Sequence, residues 1–144
     1  GQGLPMFGGE ELREFIARAS WVAVNDYEAS LLAERTGWSL ERIGAQVRAL
    51  IVTRGAEGSW IYVDGVRLEI PVASASRLAD PTGCGDAYRA GLLYGLAGGL
   101  DWPTTGRTAA LLAAIKIEQH GTQQHRCSPQ EFSDRFRADF GYAL

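Results

Sequence analysis

The sequence predicts an α/β protein in which a mainly parallel sheet is flanked by helices and carries one β-hairpin. Three observations carry that expectation. Trp21-Val22-Ala23-Val24 and Ala49-Leu50-Ile51-Val52-Thr53 are short apolar runs of the kind that buried parallel strands show. The segments around them repeat their apolar residues at helical spacing. Asp64-Gly65 stands between two strand-like runs, which is a strong two-residue hairpin signal.

Each element follows from local chemistry. Glu10 to Ala19 reads as a helix, with Leu12, Phe15 and Ile16 on one face. After the first strand, Asn25 opens a helix through Leu31 and Leu32 that Gly37 closes as a C′ glycine. Ser39 starts another helix to about Arg48, with Leu40, Ile43 and Val47 inward and Glu41, Arg42 and Arg48 outward. The second strand ends in a turn at Gly55-Ala56-Glu57-Gly58. Ser59 to Val63 and Val66 to Val72 form the hairpin, with Pro71 at an edge position. Helices follow over about Ala87 to Ala97, ended by Gly98-Gly99, and from Pro103 to about His120. A last helix starts at Ser128-Pro129, with proline at the favoured first position.

Composition narrows the function classes. The 144 residues suit one modest domain or a piece of a larger one, with 46% hydrophobic and 22% charged residues. A net charge of -3 leaves no basic footprint for nucleic acid. No apolar stretch approaches the ~18 residues of a membrane span, so no membrane partner is expected. The two cysteines, Cys84 and Cys127, are too few for a disulfide scaffold and suit a reducing, cytoplasmic compartment. The opening Gly1-Gln2-Gly3-Leu4-Pro5-Met6 has neither a basic region nor an apolar core, so it is no signal peptide. With no methionine at position 1, it reads as a start inside a protein.

The chemistry-bearing segment is Asp80-Pro81-Thr82-Gly83-Cys84-Gly85-Asp86. Gly83, Cys84 and Gly85 precede a helix, where small residues let backbone N–H groups converge and the helix dipole adds positive potential. Asp86 falls in the first turn, beside any anion those amides hold. A carboxylate there is unfavourable unless it serves chemistry, and the obvious service is accepting a proton from a hydroxyl that attacks phosphorus. A bare G-x-G-D also fits a plain turn with an acidic complement to the dipole. The string D-P-T-G-C-G-D-A-Y-R-A-G-L-L is far longer than a cap needs.

At this string the sequence resembles the ribokinase-like (PfkB) family of carbohydrate and nucleoside kinases, whose C-terminal signature reads roughly D-[PT]-x-G-[AC]-G-D-x-[FY]-x-[AG]-G. Within it, Pro81, Tyr88-Arg89-Ala90-Gly91 and Gly121-Thr122-Gln123 make bacterial adenosine-kinase-like members the nearest match. The resemblance implies that Asp86 is the catalytic base and that the Gly83, Cys84 and Gly85 amides form the anion hole. Cys84 stands where many relatives carry alanine or glycine. A thiol at a helix N-terminus is expected to have a lowered pKa and to be sensitive to oxidation.

Two further motifs keep the family's order and spacing. Asn25-Asp26-Tyr27-Glu28 is by spacing a capping box. By resemblance it is an N-x-x-E element in which Asn25 and Glu28 organise Mg²⁺ through water. Thr53-Arg54-Gly55-Ala56-Glu57-Gly58 is by itself a turn into the hairpin. By resemblance it is a T-x-G-x-x-G element in which Thr53, Gly55 and Gly58 lie along ATP. Ala110 and Ala113 sit where the family's long helix borders adenine, although alanines there equally serve close packing. Asp80 and Thr82, with carbonyls near Gly121, resemble a K⁺ site. His120 and His125 lack partners at metal spacing and read as surface or pocket-rim residues.

The resemblance covers the C-terminal portion of the usual kinase, so residues 1–144 are expected to be the nucleotide-binding and catalytic portion of a PfkB-type kinase domain. The missing half would supply most substrate contacts, leaving an unpaired sheet edge and an exposed apolar face. The implied activity is ATP-dependent phosphorylation of a hydroxyl of a nucleoside, adenosine first, or of a sugar as in ribokinase and fructokinase relatives. A homodimer of the full-length protein is a further expectation. A nucleotide-binding module without catalysis and a structural α/β fragment without ligand are the alternatives from other classes.

Overall fold

The computed structural model describes residues 3–76, 78, 80–118 and 127–144. They fall into two compact units, Gly1–Glu69 and Ile70–Leu144.

In the first unit, after a short 3-10 helix at Leu4–Met6, come α1 (Gly9–Arg18), β1 (Trp21–Asn25), α2 (Asp26–Thr36), α3 (Leu40–Gln46) and β2 (Ala49–Thr53). A 3-10 turn at Gly55–Glu57 leads to β3 (Ser59–Val63) and β4 (Val66–Ile70). The sheet order is β1-β2-β3-β4. Strands β1 and β2 are parallel, with Trp21 opposite Ala49 and Asn25 opposite Thr53. Strands β2 and β3 are antiparallel, with Thr53 opposite Ser59.

The α/β class and the hairpin are as expected, but the sheet is mixed rather than mainly parallel. Only α2 and α3 provide the long crossover that a parallel pair needs; the later connections are short turns, which return the chain antiparallel. Asp64 and Gly65 both take positive φ, 50° and 76°, in the two-residue turn between β3 and β4.

Leu12 and Ile16 of α1, Ala29 and Leu32 of α2 and Ile43 of α3 pack with Val24, Leu50, Val52 and Tyr62 of the sheet in one core. Strand β2 is buried on both faces, since Leu50 and Val52 alternate with the equally buried Ala49 and Ile51. Phe15, expected inward, is half exposed and meets Phe7 edge-on at 5.0 Å. Helix α3 stops at Gln46, short of Arg48, because the Arg48 N–H already donates to the Ser20 carbonyl at 2.8 Å. Strand β4 ends before Pro71, which has no N–H to give a ladder.

The second unit holds α4 (Cys84–Ala97), α5 (Trp102–Ile117) and α6 (Pro129–Phe140). Helices α4 and α5 approach closely through small residues. A Cβ at Gly91 would lie 2.4 Å from Ala109 Cα, and one at Gly95 would lie 2.6 Å from Thr105 Oγ1. Phe136 of α6 is fully buried against Phe140 and Tyr142. At the end of α5, the Glu118 carboxylate accepts two hydrogen bonds from Arg135 at 2.9 Å and one from Ser76 N–H at 2.7 Å. Burial alone would raise the Glu118 pKa, but the Arg135 and Ser76 hydrogen bonds and the guanidinium charge outweigh it and hold it below the ordinary value.

Candidate active site

Helix α4 begins three residues earlier than its periodicity suggests, at Cys84. The reason is local. The Cys84 N–H closes a turn by donating to the Pro81 carbonyl at 3.2 Å, and Gly83 takes φ 80° in the left-handed region. That conformation costs other residues roughly 1–2 kcal/mol. The first intrahelical bond then runs from Ala87 N–H to Gly83 O at 2.9 Å. Gly83 has no side chain with which to cap the helix.

The expectation of three consecutive open amides is therefore narrowed. The Cys84 N–H is engaged in the turn, whereas those of Gly85 and Asp86 reach no backbone acceptor among the described residues. The Asp86 amide joins the candidate anion hole, a donor that sequence reasoning missed because the motif marks only small residues. The Asp86 carboxylate stands in the first turn with its side chain 85% exposed, and its Oδ1 accepts from Arg89 Nη1 at 3.0 Å. The pair leaves Oδ2 outside that bond.

The thiol expectation is overturned. Burial pushes the Cys84 pKa up, and the nearby Asp80 charge adds to the rise, while Lys116 draws it only part of the way back. Desolvation is the largest cause, and the direction is opposite to the one expected for Cys84. Lys116 itself reaches this loop from the last turn of α5: a Cβ at Gly83 would lie 3.1 Å from its Cε.

Asp80 and Thr82 form a closed local turn, Thr82 N–H donating to Asp80 Oδ1 at 2.9 Å. Asp80 N–H donates to Ile117 O at 3.1 Å, which pins the loop to the end of α5. Gly121, expected to complete a K⁺ site, lies outside the described residues, as do His120, His125, Thr122 and Gln123. Ala110 is buried and Ala113 half-buried on α5, the latter one turn before the carbonyl that holds Asp80.

In the first unit, the other two motifs meet at one end of the sheet. Asn25 and Thr53 end the parallel strands β1 and β2 as register partners, the edge outside which open α/β sheets bind ligands. The capping box is present: Glu28 N–H donates to Asn25 Oδ1 at 2.7 Å, and Asn25 N–H donates to Glu28 Oε2 at 3.0 Å. These bonds fix the Glu28 carboxylate at the strand end. Mg²⁺ keeps several waters and needs only one or two carboxylates nearby, so this donor set fits an outer-shell role. It does not make a cage: among the described residues no group of three or more His, Cys, Asp or Glu could hold a metal ion.

After β2, Gly55 and Gly58 both take positive φ, 56° and 83°, in a loop closed by Arg54 N–H donating to Gly58 O at 2.8 Å. Arg54 is held between a Glu57 ion pair and the Trp60 ring, its guanidinium carbon 3.9 Å from the ring centre. Among the described residues, no helix is long and apolar enough to cross a membrane.

The sequence model of the pfkB family carbohydrate kinases matches residues 5–130. The nucleoside kinase of Methanocaldococcus jannaschii is 36% identical over 123 residues, 85% of this chain and 41% of that protein. Its crystal structure, described as an archaeal member of the ribokinase family, matches with TM-score 0.89 at 33% identity, over 96% of this chain and 46% of that one. The Burkholderia thailandensis nucleoside kinase in complex with inosine matches with TM-score 0.96 at 49% identity, over 100% of this chain and 48% of that one. The same kinase in complex with ADP-inosine gives 0.94 at 49% identity, over 99% and 45%. The chain thus spans less than half the length of these relatives.

Proposed function

The chain belongs to the pfkB family carbohydrate kinases, and from that premise we propose that residues 1–144 are the nucleotide-binding and catalytic portion of an ATP-dependent nucleoside kinase. The observation that carries this reading is the start of α4, where two open amides and the Asp86 carboxylate share one helical turn.

In the proposed reaction an acceptor hydroxyl attacks the γ-phosphorus of ATP in line. A new oxygen–phosphorus bond forms, the bond to the bridging oxygen breaks, and ADP leaves. The Asp86 carboxylate takes the hydroxyl proton, a contribution worth about 10²–10⁴-fold. The amides of Gly85 and Asp86, with that of Gly83, donate to the charge spread over the phosphoryl oxygens. Thr53, Gly55 and Gly58 lie along the nucleotide, as the family's T-x-G-x-x-G element implies. When bound with ATP, Mg²⁺ neutralises phosphate charge, and Asn25 and Glu28 would hold its waters.

A nucleoside acceptor is favoured because both relatives named above are nucleoside kinases, one of them bound to inosine. Adenosine, implied by the adenosine-kinase-like signature, and inosine are therefore the first acceptors to compare, ahead of ribose and fructose. Most acceptor contacts would come from residues outside these 144.

The test is transfer of labelled γ-phosphate from Mg-ATP by the complete protein to inosine, adenosine and a sugar panel. Preferential labelling of a nucleoside supports the reading. Labelling of sugars alone overturns the acceptor class. No labelling, with Mg-ATP still binding in calorimetry, leaves a non-catalytic nucleotide module instead. The 144 residues alone are expected to turn over no substrate, and robust activity from them would refute the assignment as a portion.

A further inference from the structure

Of the chain's 14 basic residues, Lys116 alone is a lysine. It sits in the last turn of α5, where a cation complements the negative end of the helix dipole. That role asks only for a side chain lying along its own helix. Lys116 instead crosses to the start of α4, its Cε 3.1 Å from the position a Gly83 Cβ would occupy. Gly83 therefore has two reasons to lack a side chain: its left-handed backbone and the passage of this lysine stem.

Among the described residues, the charge at the end of that stem has no ion-pair partner. Arg89 is paired with Asp86, and Arg135 with Glu118. Lys116 is half-buried, and its side chain makes no ion pair or hydrogen bond among the described residues. A compact, point-like cation of this kind is a common phosphate binder.

Backbone amides supply direction but no net charge. The transferred phosphoryl group carries charge on three equatorial oxygens, which positive side chains or metals neutralise in phosphoryl-transfer sites. We propose that Lys116 is a phosphate-binding residue of this site, its ammonium pairing with an oxygen of the transferred γ-phosphoryl group at the start of α4. The inference rests on the phosphoryl-transfer reading of that turn and adds a residue that the motif string does not contain.

The test uses the complete protein with Lys116→Met, which keeps the apolar stem against Gly83, and Lys116→Arg, which restores charge. The Met variant is expected to lose on the order of 100-fold in kcat/KM. Its ATP affinity should fall about tenfold, with ADP affinity and thermal midpoint near wild type. The Arg variant should recover part of the loss. A folded Met variant with unchanged kcat/KM and an unchanged ratio of ATP to ADP affinity would overturn the proposal. So would equal losses for ATP and ADP with a lowered midpoint, the outcome of a purely structural role.

A measurement on wild type covers the case in which the Met variant does not fold. Acetylation of Lys116, followed by mass spectrometry of its peptide, should slow about tenfold at Mg-ATP near ten times its Kd and much less with Mg-ADP. Equal rates with and without Mg-ATP overturn the role. If wild type phosphorylates no acceptor at all, the underlying reading falls, whereas an active wild type with an indifferent Lys116 removes only this residue.

Discussion

Helices α2 and α4 both begin with a glycine- or amide-bearing turn and an acidic residue at the third helical position, yet their starts are opposites. At α2 the side chains of Asn25 and Glu28 close two donors within the protein. Helix α6 is closed in the same way by Ser128 and Glu131, while at α3 and α5 Ser39 and Asp101 each accept one bond, from Arg42 N–H and Thr104 N–H. At α4 the N-cap is Gly83, the carboxylate at the third position turns to Arg89, and amides are left open. An acidic third residue thus closes a backbone donor at α2 and leaves the backbone donors open at α4. Capping by itself accounts for the place of Glu28, whereas no cap accounts for that of Asp86.

The largest expected effect is at the open start. Asp86→Asn should cut kcat by about 10²–10⁴-fold with ATP affinity retained, measured by steady-state kinetics and calorimetry. Retained turnover would make Asp86 a mere complement to the dipole. Next comes Gly83→Ala, which forces a side chain into the left-handed region and against the Lys116 stem. It should cost about 1–2 kcal/mol in urea unfolding and lower activity as well. At the closed start, Asn25→Ala should cost about 1 kcal/mol through the lost cap. A raised Mg²⁺ requirement in that variant would add the metal role, and an unchanged one would leave Asn25 a cap only.

The smallest effect concerns Cys84, the first helical residue of α4. Its raised pKa means less thiolate near neutral pH, so alkylation should be slower than for a free thiol and accelerate only at higher pH. Faster alkylation would mean that the helix terminus outweighs burial after all.

Much of this was legible in the sequence because it is local. Caps at Asn25, Ser39 and Ser128, the Asp64-Gly65 turn and the Asp80–Asp86 string are all written within a few residues of where they act. What escaped depends on three-dimensional packing. The Pro81–Cys84 turn decides which amides stay open, and desolvation decides the direction of the Cys84 shift. Lys116 lies a whole helix pair away from Gly83 in sequence; its being the single lysine was the one available hint. The mixed sheet escaped because apolar runs report burial and not strand direction.

In the proposed reaction the open amides of α4 hold the phosphoryl group. Backbone amide NMR of the complete protein, titrated with Mg-ATP, tests it most directly. Large shifts are expected for the N–H groups of Gly85 and Asp86, and little change for those of Arg42 and Glu131, which side chains already cap. Saturable ATP binding with Gly85 and Asp86 undisturbed would contradict it.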